Sequence, residues 1–205
     1  PTGSGKSKTF FISMIRAILN KSSCLVYDPK GELFAQTAPS AKTIYRLDLN
    51  DPTKSDRWNF IPKCRNDPAF ACQIAGMMIG IEARRRTNAD PFWGDAEQIA
   101  LTAILLHIAE VYREKAIPAF AADFLLFLSG ESDEAFNDAM TNSPSLYAKQ
   151  AYMAFRQAPV QTRGSILIGL YNKLRPFTLA PARMVTTPPT RDEAASGCRA
   201  PRGGK

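Results

Sequence analysis

Histidine is almost missing from this 205-residue sequence: His107 is the only one. No second ligand stands near it, so it reads as a hydrogen-bonded core residue rather than a metal ligand. The four cysteines, Cys24, Cys64, Cys72 and Cys198, form no CxxC pair and no ligand spacing. That argues against a disulfide framework and a zinc site, and it suits reduced thiols in a cytosolic protein. Long apolar runs are also lacking. The longest, Ile99–Ala109, is interrupted by Thr102 and His107 and is too short to span a bilayer. No internal repeat and no signal peptide are visible. The net charge of +7 is diffuse, with +2 of it after residue 183, and is a weak argument for nucleic acid by itself.

What is present begins at the first residue. Pro1-Thr2-Gly3-Ser4-Gly5-Lys6-Ser7 is a phosphate-binding loop, G-x-x-x-x-G-K-[ST], short of its leading glycine. Its chemistry is that of a nucleotide triphosphate site. The backbone N–H groups of Thr2 to Lys6 would wrap phosphate, with Gly3 and Gly5 permitting close approach. Lys6 would reach the β- and γ-phosphates, and the Ser7 hydroxyl would ligate Mg²⁺. The ligand expected is therefore a nucleoside triphosphate with Mg²⁺, and the truncated motif suggests a fragment.

The pattern that follows predicts a helix over Lys8–Asn20, a strand over Cys24–Tyr27, one or two helical turns over Glu32–Thr37 and a second strand over Thr43–Leu49. Beyond Trp58-Asn59 only helical patterns occur. Asp67-Pro68 and Asp90-Pro91 are helix starts, an Asp cap followed by Pro in the first turn. Phe70, Ile74, Met77 and Met78 would pack inward. The Ile99–Ala109 run is apolar nearly all round, which predicts a central, buried helix. Three further helices follow before a last one over Gln161–Arg175. The expected fold class is α/β: a partial P-loop nucleotide-binding domain with an inserted all-helical domain. The expected boundaries are 1–65 for the nucleotide-binding segment, 66–180 for the all-alpha domain and 181–205 for a disordered or aberrant tail, rich in Pro, Gly, Ala and Arg.

Asp28-Pro29-Lys30-Gly31-Glu32 sets three charges at the end of the first predicted strand, where ligands bind in open α/β sheets. A carboxylate there could order metal-bound water or meet a neighbouring subunit; a solvated turn is the plain alternative. PTGSGKS, then DPKGE, then the "LDLNDP" turn and "RWNFIP", resembles the type IV secretion coupling proteins of the TraG/TraD family. Asp90-Pro91-Phe92-Trp93 with its long helix, and Thr162-Arg163-Gly164-Ser165, continue the resemblance over about residues 1–183.

The resemblance implies a membrane-anchored homo-hexameric ATPase at the cytoplasmic face of the bacterial inner membrane, with a RecA-like motor domain that takes ATP and Mg²⁺ and an all-alpha domain. Its partners would be relaxase-bound single-stranded DNA or effector proteins and the components of the secretion channel. Carried over by position, Thr2, Gly3, Ser4, Gly5, Lys6 and Ser7 bind nucleotide. Asp28 and Glu32 are candidate catalytic carboxylates, and Arg163 is a candidate charge acting in trans. The family's second acidic motif, a hydrophobic strand ending in Asp-Glu, is missing, since Asp192-Glu193 follows Thr-Pro-Pro-Thr-Arg. The segment itself is therefore expected to be soluble and not to turn over ATP. Two alternatives stand beside this reading. One is another P-loop NTPase or kinase. The other is a non-catalytic helical docking module for secretion substrates. Arg84-Arg85-Arg86 reads as a solvated loop with DNA phosphate as the rival ligand.

Overall fold

A helix that is apolar on every side must be covered on every side, and that requirement organises most of the chain. The computed structural model describes residues 10–80, 90–131 and 133–188. They divide into two compact units, one ending at Arg46 and one starting at Leu47. The division falls ahead of the 65/66 boundary expected from composition.

In the first unit, α1 (Ile12–Ile18) and α2 (Glu32–Thr37) pack together, with a 3-10 turn at Ala38–Ser40. Ile12 and Ile15 are the buried face of α1. Asn20 closes that helix in the left-handed region, φ 65°. Its side chain then clamps the far end of the unit, donating to the Ser40 carbonyl at 2.9 Å and accepting from the Lys42 N–H at 2.7 Å. Arg16 donates to the Gln36 carbonyl at 3.0 Å.

The α/β expectation is overturned here. No strand exists among the described residues; Cys24–Tyr27 and Thr43–Leu49 form none. An alternating or apolar segment becomes a strand only when a neighbouring backbone pairs with its N–H and C=O groups. No such ladder reaches Cys24–Tyr27, and Leu25 and Tyr27 stand almost wholly exposed. The RecA-like sheet is therefore absent from the described chain, and the fold observed is all-helical.

The second unit is built on α4 (Pro91–Tyr112). Every residue from Ala100 to Ala109 is buried. Around it pack a 3-10 segment (Ile61–Asn66), α3 (Pro68–Met78), α7 (Leu146–Arg156) and α8 (Val160–Thr178). α5 (Pro118–Glu131) lies against α8, α6 (Asp133–Thr141) bridges α5 and α7, and α9 (Ala180–Thr186) returns to the start of the unit. There the Trp58 N–H donates to the Val185 carbonyl at 2.8 Å. The span assigned to the tail thus includes a helix over its first residues. From Pro189 onward, with Asp192, Glu193 and Cys198, it lies outside the described residues, as do Arg84–Arg86.

The helix starts follow the local chemistry. The Asp67 carboxylate accepts from the Phe70 N–H at 2.9 Å, and that of Asp90 from the Phe92 N–H at 3.0 Å. Pro176 does not end α8, which runs to Thr178; in the last turn a missing N–H forfeits only one ladder bond. Met77 departs from expectation and is 65% exposed, while Ala71, Ile74 and Ala75 fill the buried face of α3. Cys64 is fully buried, and desolvation pushes its thiol up to about 12.

Two ion pairs fasten α4. Arg65 grips Glu110 with both arms of its fork, at 2.9 and 3.0 Å, and holds that carboxyl below the usual range. The buried Glu97 pairs with Lys173 of α8. A Cβ at Gly169 would come within 2.8 Å of the Glu97 carboxylate, so glycine leaves room for this contact. An aromatic row, His107–Phe124–Phe136–Tyr152–Phe155, crosses α4, α5, α6 and α7 with centroid spacings of 5.0 to 6.1 Å. The Nδ1 atom of His107 lies 2.8 Å from Ser143 Oγ, as the core reading of this residue expects.

Two predictions follow from this packing. Leu105 is fully buried and Ile99 is 40% exposed. In urea melts Leu105→Ala is expected to cost about 2–5 kcal/mol, and Ile99→Ala clearly less. Equal losses would contradict a central α4. Burial also depresses the His107 pKa below its ordinary 6.5. Below 6.5 the unfolded chain binds more protons than the folded one, so stability falls as pH drops and levels off below the folded value. Melts between about pH 7 and pH 5 should show this slope, and His107→Gln should flatten it.

Candidate functional site

The phosphate-binding loop expected at Thr2 to Ser7 lies outside the described residues. Facing α1 in the same unit is the Asp28–Glu32 turn. The Gly31 N–H donates to the Asp28 carbonyl at 3.1 Å. Gly31 takes φ +71°, and nothing lies within 4 Å of a Cβ built there, so backbone conformation alone selects glycine. The chain then turns into α2, and Asp28 Oδ2 accepts from the Phe34 N–H at 2.8 Å. Asp28 is thus held by a helix-start bond, with one carboxylate oxygen committed to the backbone.

A cleft of about 420 Å³ lies between α1 and this turn. Phe11, Met14 and Ile15 form one wall, and Leu25–Tyr27 and Leu33 the other. Asp28, Lys30 and Glu32 add polar groups to the lining. Lys30 and Glu32 are exposed, and neither has an ion-pair partner among the described residues. The combination suits a ligand with an apolar body and a charged end. No cluster of three or more His, Cys, Asp or Glu among the described residues is placed to hold a metal ion.

Asp28 and Glu32 are therefore neighbours across one turn. Arg163 belongs to the other compact unit, in the first turn of α8. Its guanidinium donates to the Arg156 carbonyl, the last residue of α7, at 3.1 Å. A Cβ at Gly164 would meet nothing within 4 Å, so close packing does not explain the glycine of that Arg-Gly-Ser triplet.

The profile of the family described as type IV secretory system conjugative DNA transfer matches residues 1–189. The chain belongs to that family. No curated protein and no solved structure matches it. Membership of the conjugative DNA transfer family places the chain in type IV secretion. The match takes in Thr2 to Ser7, the Asp28–Glu32 turn, the helical unit and α9. No helix among the described residues is long and apolar enough to cross a membrane.

Two features escaped the sequence reading. The Glu97–Lys173 pair joins residues 76 apart, and no local pattern announces it. The charge imbalance of α7 and α8 did carry a signal: no acidic residue occurs between Asp138 and Asp192.

The turn makes a local prediction. Asp28→Ala removes the acceptor for Phe34 and is expected to loosen the start of α2 by about 0.5–2 kcal/mol. Amide hydrogen exchange should quicken at Phe34. Glu32→Ala should leave that amide unchanged, and equal exchange in both variants would remove the capping role from Asp28.

Proposed function

We propose that this chain is the nucleotide-binding and all-helical part of an ATPase that delivers relaxase-bound single-stranded DNA, or an effector protein, to a type IV secretion channel. One observation carries the reading: Gly3-Ser4-Gly5-Lys6-Ser7 stands inside a family match that runs on through the helical unit. The residue types fit the ligand. Two glycines let backbone N–H groups approach phosphate. Lys6 supplies a point charge, and the Ser7 hydroxyl is a hard oxygen donor of the kind Mg²⁺ takes. The metal would neutralise charge on the phosphates. The apolar cleft beside the Asp28–Glu32 turn is suited to the less polar end of the nucleotide. The family setting supports a homo-hexamer at the cytoplasmic face of the inner membrane, with nucleotide held between subunits.

The helical unit supports a second, separable role as a docking surface for cargo. The observation behind it is that this unit is compact by itself and buries its own core.

Hydrolysis by these residues alone is expected to be negligible. Asp28 is engaged with Phe34, and the Asp192-Glu193 pair follows no apolar segment. Binding of a fluorescent ATP analogue with Mg²⁺ should weaken about tenfold or more in Lys6→Ala, as expected for loss of a charged phosphate contact. Phosphate release should not exceed that of the same variant. Equal binding by both proteins would overturn the nucleotide reading. Cargo capture that survives Lys6→Ala would assign docking to the helical unit.

A further inference from the structure

From Ala139 to Arg191 the chain has no aspartate or glutamate, yet it carries seven lysines and arginines. At the average of the whole chain, 19 acids in 205 residues, about five would fall in this stretch. The imbalance covers α7, α8 and α9. Acids from elsewhere answer part of it: Glu97 takes Lys173, and Asp123 takes Arg183 at 3.3 Å. Lys149 and Arg156 of α7 have no ion pair among the described residues, although α6 beside them carries Glu134 and Asp138.

Helical geometry places these charges. Ala148, Tyr152 and Phe155 turn the inner face of α7 into the core. Lys149 and Arg156 are seven residues apart, so they sit on one line about 10 Å long. Beside that line the outward face carries Leu146, 66% exposed, and Met153, 48% exposed. Val160 follows across the turn, 61% exposed. Arg163 lies on the Arg156 carbonyl, which brings a second guanidinium to the α7–α8 turn. The surface is a basic edge alongside an apolar strip.

Such a surface discriminates between polyanions. A phosphodiester backbone offers charge but little apolar area to cover Leu146, Met153 and Val160. An amphipathic acidic peptide offers both, and methionine adapts to varied apolar partners. We propose that the outward face of α7, continued by Val160, docks an acidic, apolar-studded segment of a cargo protein. This rests on the delivery reading above and names the chemistry of the cargo's signal. Carboxylates would meet Lys149 and Arg156, and leucine-like side chains would cover Met153 and its neighbours.

The test uses the full chain and a short labelled peptide of glutamates and leucines at helical spacing. Its arms are the same peptide with serine for leucine, and a single-stranded oligonucleotide of equal charge. Fluorescence anisotropy should show binding of the Glu/Leu peptide, and much weaker binding of the serine peptide. K149E/R156E should weaken binding about tenfold or more and flatten its salt dependence. Met153→Ser should weaken binding and leave the salt dependence in place. Circular dichroism melts of both variants should match the parent, as expected for surface changes. Absent peptide binding, or variants without effect, would overturn the proposal. Equal binding of the serine peptide would do the same. An oligonucleotide that displaces the peptide and loses as much in K149E/R156E would make this a nucleic-acid surface instead. Mg²⁺–ATP analogue binding in the same samples separates the two readings. Peptide failure with nucleotide binding intact sinks only this inference.

Discussion

The burial of α4 is the constraint on which the helical unit depends. Leu101, Ile104, Leu105, Leu106 and Ile108 have essentially no exposed surface. Each contributes about 1.5–3 kcal/mol by leaving water. A helix with apolar groups on all sides cannot lie on a surface, so α3, α7 and α8 must surround it. The neighbouring helices are then free to keep one mixed or polar face outward. The uncovered strip on α7 exists because its opposite face is spent on the core.

Polar groups at α4 are arranged around that burial. Glu97 is nearly inaccessible, and an unpaired carboxylate there would be costly. Lys173 answers it from α8, and Gly169 keeps the approach open. Near the other end Arg65 holds Glu110. His107 is tolerated because Ser143 supplies a partner and Phe124 a flat wall. These contacts tie α4 to its neighbours in one register, which apolar packing alone specifies less tightly.

Much of the helical unit was legible in the sequence. Asp67-Pro68 and Asp90-Pro91 start helices where cap chemistry says they should, and Ile99–Ala109 is central except for its first residue. The turn at Asp28–Glu32 was legible too, since Gly31 needs its positive φ. The resemblance makes Asp28 a candidate catalytic carboxylate, and the structure adds that it accepts from the Phe34 N–H at the start of α2. The sheet was misread because Cys24–Tyr27 and Thr43–Leu49 have strand-like composition, which says nothing about a pairing partner. Met77 was assigned inward by period alone, and it faces out.

By itself the sequence determined the helix starts, the central apolar helix and the family. Each depends on residues close together along the chain, or on a motif that needs no fold to be read. Only the tertiary structure decided that the apolar segments of the first unit remain unpaired. It alone decided that Glu97 meets Lys173 and that α7 turns a basic, apolar face outward. Strand pairing, compensation of a buried charge and the orientation of a helix all depend on residues distant in sequence, and local pattern carries no record of them.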